Sequence, residues 1–106
     1  MECPNFLPLG SVIHIEGSEK SLMVISRAIV VPQNGKHSYY DYGCSLWPEG
    51  LMSDAVIYCN HNAVKEVLFK GFENDAEGIM RKTLSEAVAT LDIEKGNPGP
   101  LGGKRR

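Results

Sequence analysis

The apolar residues of this chain change their period once, near Asn74. Before that point they alternate or form short β-branched blocks, which is the pattern of strands in a half-buried sheet. After it they recur every three to four residues, which is the pattern of an amphipathic helix. A chain of 106 residues is the size of one domain, so strands and helix must share a single core. The sequence therefore predicts an α+β fold with the strands first and one helix last.

Turn residues divide the strand region into five short blocks. The pair Asn34-Gly35 is the clearest turn, because it tolerates the positive φ angles of a tight hairpin. Such short connections favour antiparallel neighbours. We predict a small five-stranded antiparallel bent sheet or SH3-like barrel, followed by one C-terminal α-helix. The predicted strands lie near residues 11–17, 21–31, 38–47, 55–60 and 67–72.

The helix is predicted to begin at Asn74, because Asn74 and Glu77 have the spacing of a capping box. Asp75 adds negative charge to the first turn, where the helix dipole favours it. Gly78 weakens that turn. The apolar stripe either packs on the sheet, which is the default, or forms a helix interface with a partner. This candidate interface comprises Met80, Leu84, Val88 and Leu91.

Proline and glycine mark the two ends of the domain. Residues 1–10 are interrupted by prolines and are interpreted as an N-terminal arm. Residues 11–95 are predicted to form the single α+β domain. Residues 96–106 are rich in glycine and proline and are predicted to be a disordered tail.

Charge and composition disfavour several classes of partner. The formal net charge is −2 and the basic residues form no stripe, so nucleic acid is not expected to bind. No apolar segment approaches the roughly 20 residues that span a bilayer, and the start lacks the pattern of a signal peptide. Three cysteines without a Cys-x-x-Cys pair do not suggest a disulfide framework. We therefore expect a cytoplasmic protein that does not insert into membranes.

The block "YDYGCSLWPEG" concentrates aromatic and acidic residues between positions 40 and 50. It is a candidate binding surface, extended by the pair Asn60 and His61. The competing interpretation is a strand with one core face and one wet face, with Tyr40 and Tyr42 on the opposite side from Asp41. The candidate surface comprises Tyr40, Asp41, Tyr42, Trp47, Glu49, Asn60 and His61.

No catalytic motif is complete anywhere in the chain. A small hydrolase would use Asp41 with Glu49, or a thiol at Cys44. A zinc site would combine Cys44, Cys59 and His61, and these residues leave no evident fourth ligand. We therefore predict neither enzymatic activity nor a metal or other cofactor.

Three blocks together resemble a small uncharacterised family of Gram-positive bacteria. They are "LPLGSVIHIEGSEKSLMVISR", "YDYGCSLWPEG" and "NHNAVKEVLFKGFENDAE". The resemblance covers residues 7 to about 77, and several blocks in one order are more specific than a single motif. Ser26, Val64 and Phe72 depart mildly from the family pattern and keep strand character.

Genes of this family occur beside those for LXG polymorphic toxins and small helical WXG100-like adaptors of the type VII secretion system. The resemblance implies a non-catalytic accessory or adaptor protein that binds an LXG toxin or its WXG100-like partner. An immunity protein that neutralises one cognate toxin is the alternative. Homo-oligomer formation is compatible with both roles.

Overall fold

The computed structural model describes residues 4–93 and 95–96, and these form one open sheet and one helix. The predicted α+β class is confirmed, because five antiparallel strands precede a single C-terminal helix. The sheet order is β4-β3-β2-β1-β5, so β4 and β5 are edges and the barrel is not closed. The elements are β1 (Val12–Ile15), β2 (Ser21–Gln33), β3 (Lys36–Trp47), β4 (Ile57–Cys59), a 3₁₀ turn (His61–Ala63), β5 (Val64–Phe69) and α1 (Asp75–Ala89).

The β2–β3 hairpin forms the long spine of the sheet. Its turn is the predicted Asn34-Gly35 pair, with φ angles of 55° and 80°. Positive φ at both central positions gives a two-residue turn the twist that matches the flanking strands. A bulge between Val24 and Ser26 interrupts the β2–β3 register. Since bulges increase bend and twist, the spine curves around the core.

Phe6 and Pro8, in the segment predicted as an N-terminal arm, are buried in the core. Phe6 is 1% exposed, and its ring meets Tyr42 edge to face at 6.1 Å between centroids. The Leu7 N–H donates to the Tyr42 hydroxyl at 3.0 Å. The prolines therefore exclude regular secondary structure in this segment and not burial. The other large buried apolar residues are Ile13, Ile15, Leu22, Val24, Tyr39, Tyr40, Ile57 and Val88.

Helix α1 begins where the capping pattern predicted. The Asn74 side chain accepts a hydrogen bond from the Glu77 N–H at 3.0 Å. The apolar stripe divides along its length, because Val88 is 2% exposed whereas Met80 is 48% exposed. Leu84 and Leu91 are half-buried against the core. The stripe thus docks on the sheet in its C-terminal part only.

An ion pair fixes the first turn of α1 to the sheet. Both terminal nitrogens of Arg27 donate to the Glu77 carboxylate, at 2.6 and 3.0 Å. The Arg27 side chain is 5% exposed and that of Glu77 is 11% exposed. Arg81 also donates to Glu77, at 3.0 Å. The hydrogen bond from Arg27 lowers the pKa of the Glu77 carboxyl below its ordinary value, and that from Arg81 adds to the effect.

Gly78 is a place where the helix can be strengthened. A Cβ added there meets nothing within 4 Å. We expect Gly78→Ala to stabilise the fold by about 0.5 to 1 kcal/mol, because alanine loses less backbone entropy in a helix. Chemical denaturation of the two chains measures the difference. Gly71→Ala is the control expected to destabilise, since its Cβ would lie 2.1 Å from the Leu9 carbonyl oxygen. A lower midpoint for Gly78→Ala would contradict the expectation.

Gly96, which follows the predicted domain end at residue 95, packs against the sheet. Gly96 is buried, and its N–H donates to the Tyr39 carbonyl at 2.7 Å. Lys95 forms a parallel bridge with Tyr39. The described part of the domain therefore includes Gly96, whereas the rest of the predicted disordered tail, residues 97–106, lies outside the described residues.

Candidate functional site

The block from Tyr40 to Gly50 begins in the core and ends on the surface. Every residue from 38 to 45 in β3 is buried. The interpretation of β3 as a strand with one wet face was therefore wrong. The reason is that residues distant in the chain lie against β3. Lys95 pairs with Asp41, and the Tyr40 ring occupies the space that a Cβ at Gly96 would need. Tyr40 also stacks on Tyr58 with 5.4 Å between ring centroids.

Asp41 is a fully buried carboxylate with its hydrogen bonds occupied. It accepts from the Tyr39 hydroxyl and from the His61 backbone N–H, each at 2.8 Å. The Lys95 ammonium lies 3.3 Å from the same carboxylate and provides the opposite charge. A buried charge without such partners would be strongly unfavourable. Asp41 therefore joins β3 to the 3₁₀ turn and to the C-terminal segment.

Asn60 completes this network and is also buried. Its side-chain oxygen accepts from the Asp41 backbone N–H at 2.9 Å. Its amide nitrogen donates to the Gly96 carbonyl at 3.2 Å. Both ends of the amide thus have partners inside the protein, which is the usual condition of a buried polar side chain. The hydrogen-bonding groups of Asn60 are engaged in holding the fold together.

Tyr42 and His61 form the next layer of polar contacts. The Tyr42 hydroxyl lies 2.7 Å from His61 Nδ1 and accepts from the Leu7 N–H on its other side. Burial raises the pKa of Tyr42 well above its ordinary value. The hydroxyl therefore keeps its proton at neutral pH and can donate it to Nδ1. His61 is half-buried, so this layer reaches the surface at one point.

Cys44 and Cys59 are free thiols in the core. A hydrogen bond between the two thiols, together with burial, raises the pKa of Cys44 far above its ordinary value. Cys44 is therefore a protonated thiol at neutral pH, and the thiolate is the nucleophilic form. Among the described residues, no group of three or more histidine, cysteine, aspartate or glutamate side chains is placed to hold a metal ion.

The remaining members of the predicted set lie on the surface. Trp47 is 48% exposed, and Glu49 forms an ion pair with Lys20. A hydrogen bond from Lys20 lowers the pKa of Glu49 below its ordinary value. Asp41 and Glu49 therefore occupy different environments, one in the core and one in solvent. The structure splits the candidate set into buried Tyr40, Asp41, Tyr42 and Asn60, half-buried His61, and exposed Trp47 and Glu49.

Trp47 borders an apolar groove that sequence reasoning missed. The groove has a volume of about 470 Å³. It forms on the sheet because Val12 pairs with Met23 on one side and with Phe69 on the other. The available signal was the unbroken apolar run Val67-Leu68-Phe69, which does not alternate as a half-buried strand should. The lining residues are Gly10, Val12, Met23, Trp47, Leu68 and Phe69.

Helix α1 also presents an exposed stripe beside its packed face. Ile79 is 69% exposed and Met80 is 48% exposed. Small residues continue this stripe at spacings of three and four, which places them on one side of a helix. The available signal was this second set of apolar and small residues at helical spacing. The sequence analysis considered only the neighbouring stripe Met80, Leu84, Val88 and Leu91. The α1 stripe comprises Ala76, Ile79, Met80, Thr83 and Ala87, all exposed.

The open sheet, the capped helix and the two exposed apolar surfaces define a small α+β domain. The chain belongs to the family described as a domain of unknown function, DUF4176, whose profile matches residues 6–80. No curated protein and no solved structure matches the chain significantly. Within residues 4–93 and 95–96, none of the helical structure has the length and apolar character needed to cross a membrane.

Proposed function

We propose that this protein is a non-catalytic accessory or adaptor protein for type VII secretion, which binds an LXG toxin or its WXG100-like helical partner in the cytoplasm. Membership of the DUF4176 family supports the proposal through the gene neighbourhood that the family resemblance implies. The structural observation that carries it is the α1 stripe. Exposed apolar side chains on a helix are a common docking site for a second helix.

The α1 stripe is held in place for such docking. Val88 anchors the far end of α1 in the core, and the Arg27–Glu77 ion pair fixes the first turn. A helix already ordered in the free protein loses little conformational entropy on binding. Small side chains at Ala76, Thr83 and Ala87 allow another helix to approach closely. The α1 stripe therefore suits a helical partner.

The positions of the candidate catalytic groups support a non-catalytic role over the small hydrolase. A hydrolase of the carboxylate-pair type needs two carboxyl groups facing one substrate bond. Here Asp41 is 0% exposed and its hydrogen bonds are used within the fold. Glu49 is paired with Lys20 on the surface. The thiol of Cys44 is enclosed and protonated.

Ile79→Glu should abolish co-purification with the helical partner. A charge placed in an apolar helix interface must be desolvated without a counter-charge. The free chain should melt nearly as before, because Ile79 is 69% exposed. The measurement is co-purification of the full chain with each LXG toxin, toxin N-terminal domain and WXG100-like adaptor encoded beside its gene. Lys82→Glu is the control, since Lys82 is exposed on α1 away from the stripe.

Two outcomes would contradict this proposal. If the wild-type chain stays alone with every neighbouring product, it is not an adaptor for them. If Ile79→Glu and Lys82→Glu weaken the complex equally, the α1 stripe is not the contact surface. A deletion strain separates the remaining alternative, because loss of an adaptor stops toxin export whereas loss of an immunity protein leaves cells sensitive to one toxin.

A further inference from the structure

The groove beside Trp47 belongs to a second apolar surface, built from strands rather than from α1. Phe69 is 62% exposed and Leu68 is 45% exposed. Trp47 and Leu9 are each 48% exposed, and Leu9 adjoins the groove residue Gly10. We call this set, together with the groove, the groove surface. Its size exceeds what scattered single apolar residues on a surface would give.

The exposed area is enough for a dimer. A fully exposed aromatic side chain offers about 150 to 250 Å². The partly exposed side chains of this surface together present on the order of 500 Å²; they are Leu9, Trp47, Leu68 and Phe69, with half-buried Val12 and Met23 in the groove. Two copies joined face to face would bury roughly 1,000 Å², which is the threshold for a specific interface. The groove of about 470 Å³ leaves room for an aromatic side chain from outside.

The edge of β5 indicates how this surface is covered. Lys65 and Glu66 place charges on the edge strand, and two register shifts interrupt its pairing with β1. Charges and bulges on an edge discourage the addition of another strand. The contact is therefore expected to use the side chains of Leu68 and Phe69 rather than the backbone of β5.

Charges beside the groove surface favour a second copy as the occupant. Lys20 and Glu49, near Trp47, are paired with each other. Lys70, near Phe69, is paired with Glu73, which also contacts Arg81. A two-fold interface brings each side chain close to surfaces of the same sequence, where unpaired charges would repel. The Lys20–Glu49 pair beside Trp47 is already neutralised within the chain and avoids this repulsion.

We propose that a second copy of this chain covers the groove surface in a two-fold dimer, with Phe69 of each copy packed in the groove of the other. This goes beyond the proposed function and does not depend on it. It assigns the groove surface to self-association and leaves the α1 stripe for the helical partner. In such a dimer Trp47 passes from partial exposure to burial.

Sedimentation of the full chain tests the dimer directly. The expected mass is twice 11.6 kDa, with dissociation on dilution over about 1 to 500 µM. Trp47 is the only tryptophan, so its fluorescence emission should shift to the blue as concentration rises. A wild-type chain that sediments as a monomer over this range would overturn the proposal.

Phe69→Glu locates the interface. It should raise the dimer Kd by about tenfold or more, because a carboxylate would have to be buried in an apolar groove. Thermal melting should stay close to that of the monomeric wild type, since Phe69 is 62% exposed. Ile79→Glu is the matched control with an equally exposed side chain, and it should remain dimeric. A dimer that survives Phe69→Glu, or is lost equally in Ile79→Glu, would show that the groove surface is not the interface. If the chain binds no helical partner but still forms the dimer, only the proposed function is contradicted.

Discussion

Asp41→Asn is expected to destabilise the folded chain by about 3 kcal/mol or more, although the two side chains have nearly the same shape. The carboxylate accepts from the Tyr39 hydroxyl, the His61 N–H and the Lys95 ammonium. An amide supplies one acceptor oxygen in place of two and adds an NH₂ group that faces other donors. It also leaves the Lys95 charge without its counter-charge. These losses act together because the groups form one buried network.

Urea denaturation of the wild-type chain and the variant measures this effect. The midpoint should fall strongly, and the slope should stay similar if the native state remains compact. Asp54→Asn is the matched control, because Asp54 is exposed in the loop before β4 and should tolerate the same chemical change. Equal midpoints for the wild type and Asp41→Asn would show that the buried network adds nothing to stability.

Glu77→Ala should cost about 3 kcal/mol, since removal of one partner leaves a buried charge uncompensated. The affected charge is Arg27, whose side chain is 5% exposed and bonded twice to Glu77. The variant is expected to loosen the first turn of α1 before the rest of the domain unfolds. Hydrogen exchange of α1 amides and urea denaturation measure the two effects. Glu73→Ala is the control, because the Glu73 carboxylate is more exposed and also contacts Arg81.

The same ion pair sets an expected pH dependence. The hydrogen bond from Arg27 lowers the pKa of Glu77 in the folded state. The pKa of a glutamate in the unfolded chain is about 4.3. The contribution of Glu77 is therefore complete above about pH 4.3 and is lost as the pH falls through the folded-state pKa. The stability difference between wild type and Glu77→Ala should shrink on acidification through this window. A difference that grows there would contradict the assignment.

The features of the fold that could be predicted from the sequence are those determined by residues close together in the chain. The Asn34-Gly35 turn depends on two residues, and the Asn74 cap depends on residues three positions apart. The environment of Asp41 depends instead on His61, 20 positions away, and on Lys95, 54 positions away. An alternating strand pattern contains no information about such distant cover. This is why the strand pattern indicated a surface position for Asp41.

The two apolar surfaces were missed for different reasons. The groove combines Val12, Met23 and Phe69 from three strands, so it follows from strand order and register rather than from any local pattern. The α1 stripe is local, and its spacing is visible in the sequence. It was overlooked because Met80 was grouped with Leu84, Val88 and Leu91, whereas Met80 is 48% exposed and lies beside the exposed Ile79.

The family profile ends at residue 80, whereas residues that complete the fold lie further along the chain. Val88 fills the core, and Lys95 and Gly96 cover Asp41 and Tyr39. A gene trimmed at the homology boundary would omit these residues and leave Asp41 and part of the apolar core uncovered, so we expect its product to be prone to aggregate. Expression boundaries for this protein therefore belong beyond Gly96, and any fused sequence is best attached after that position.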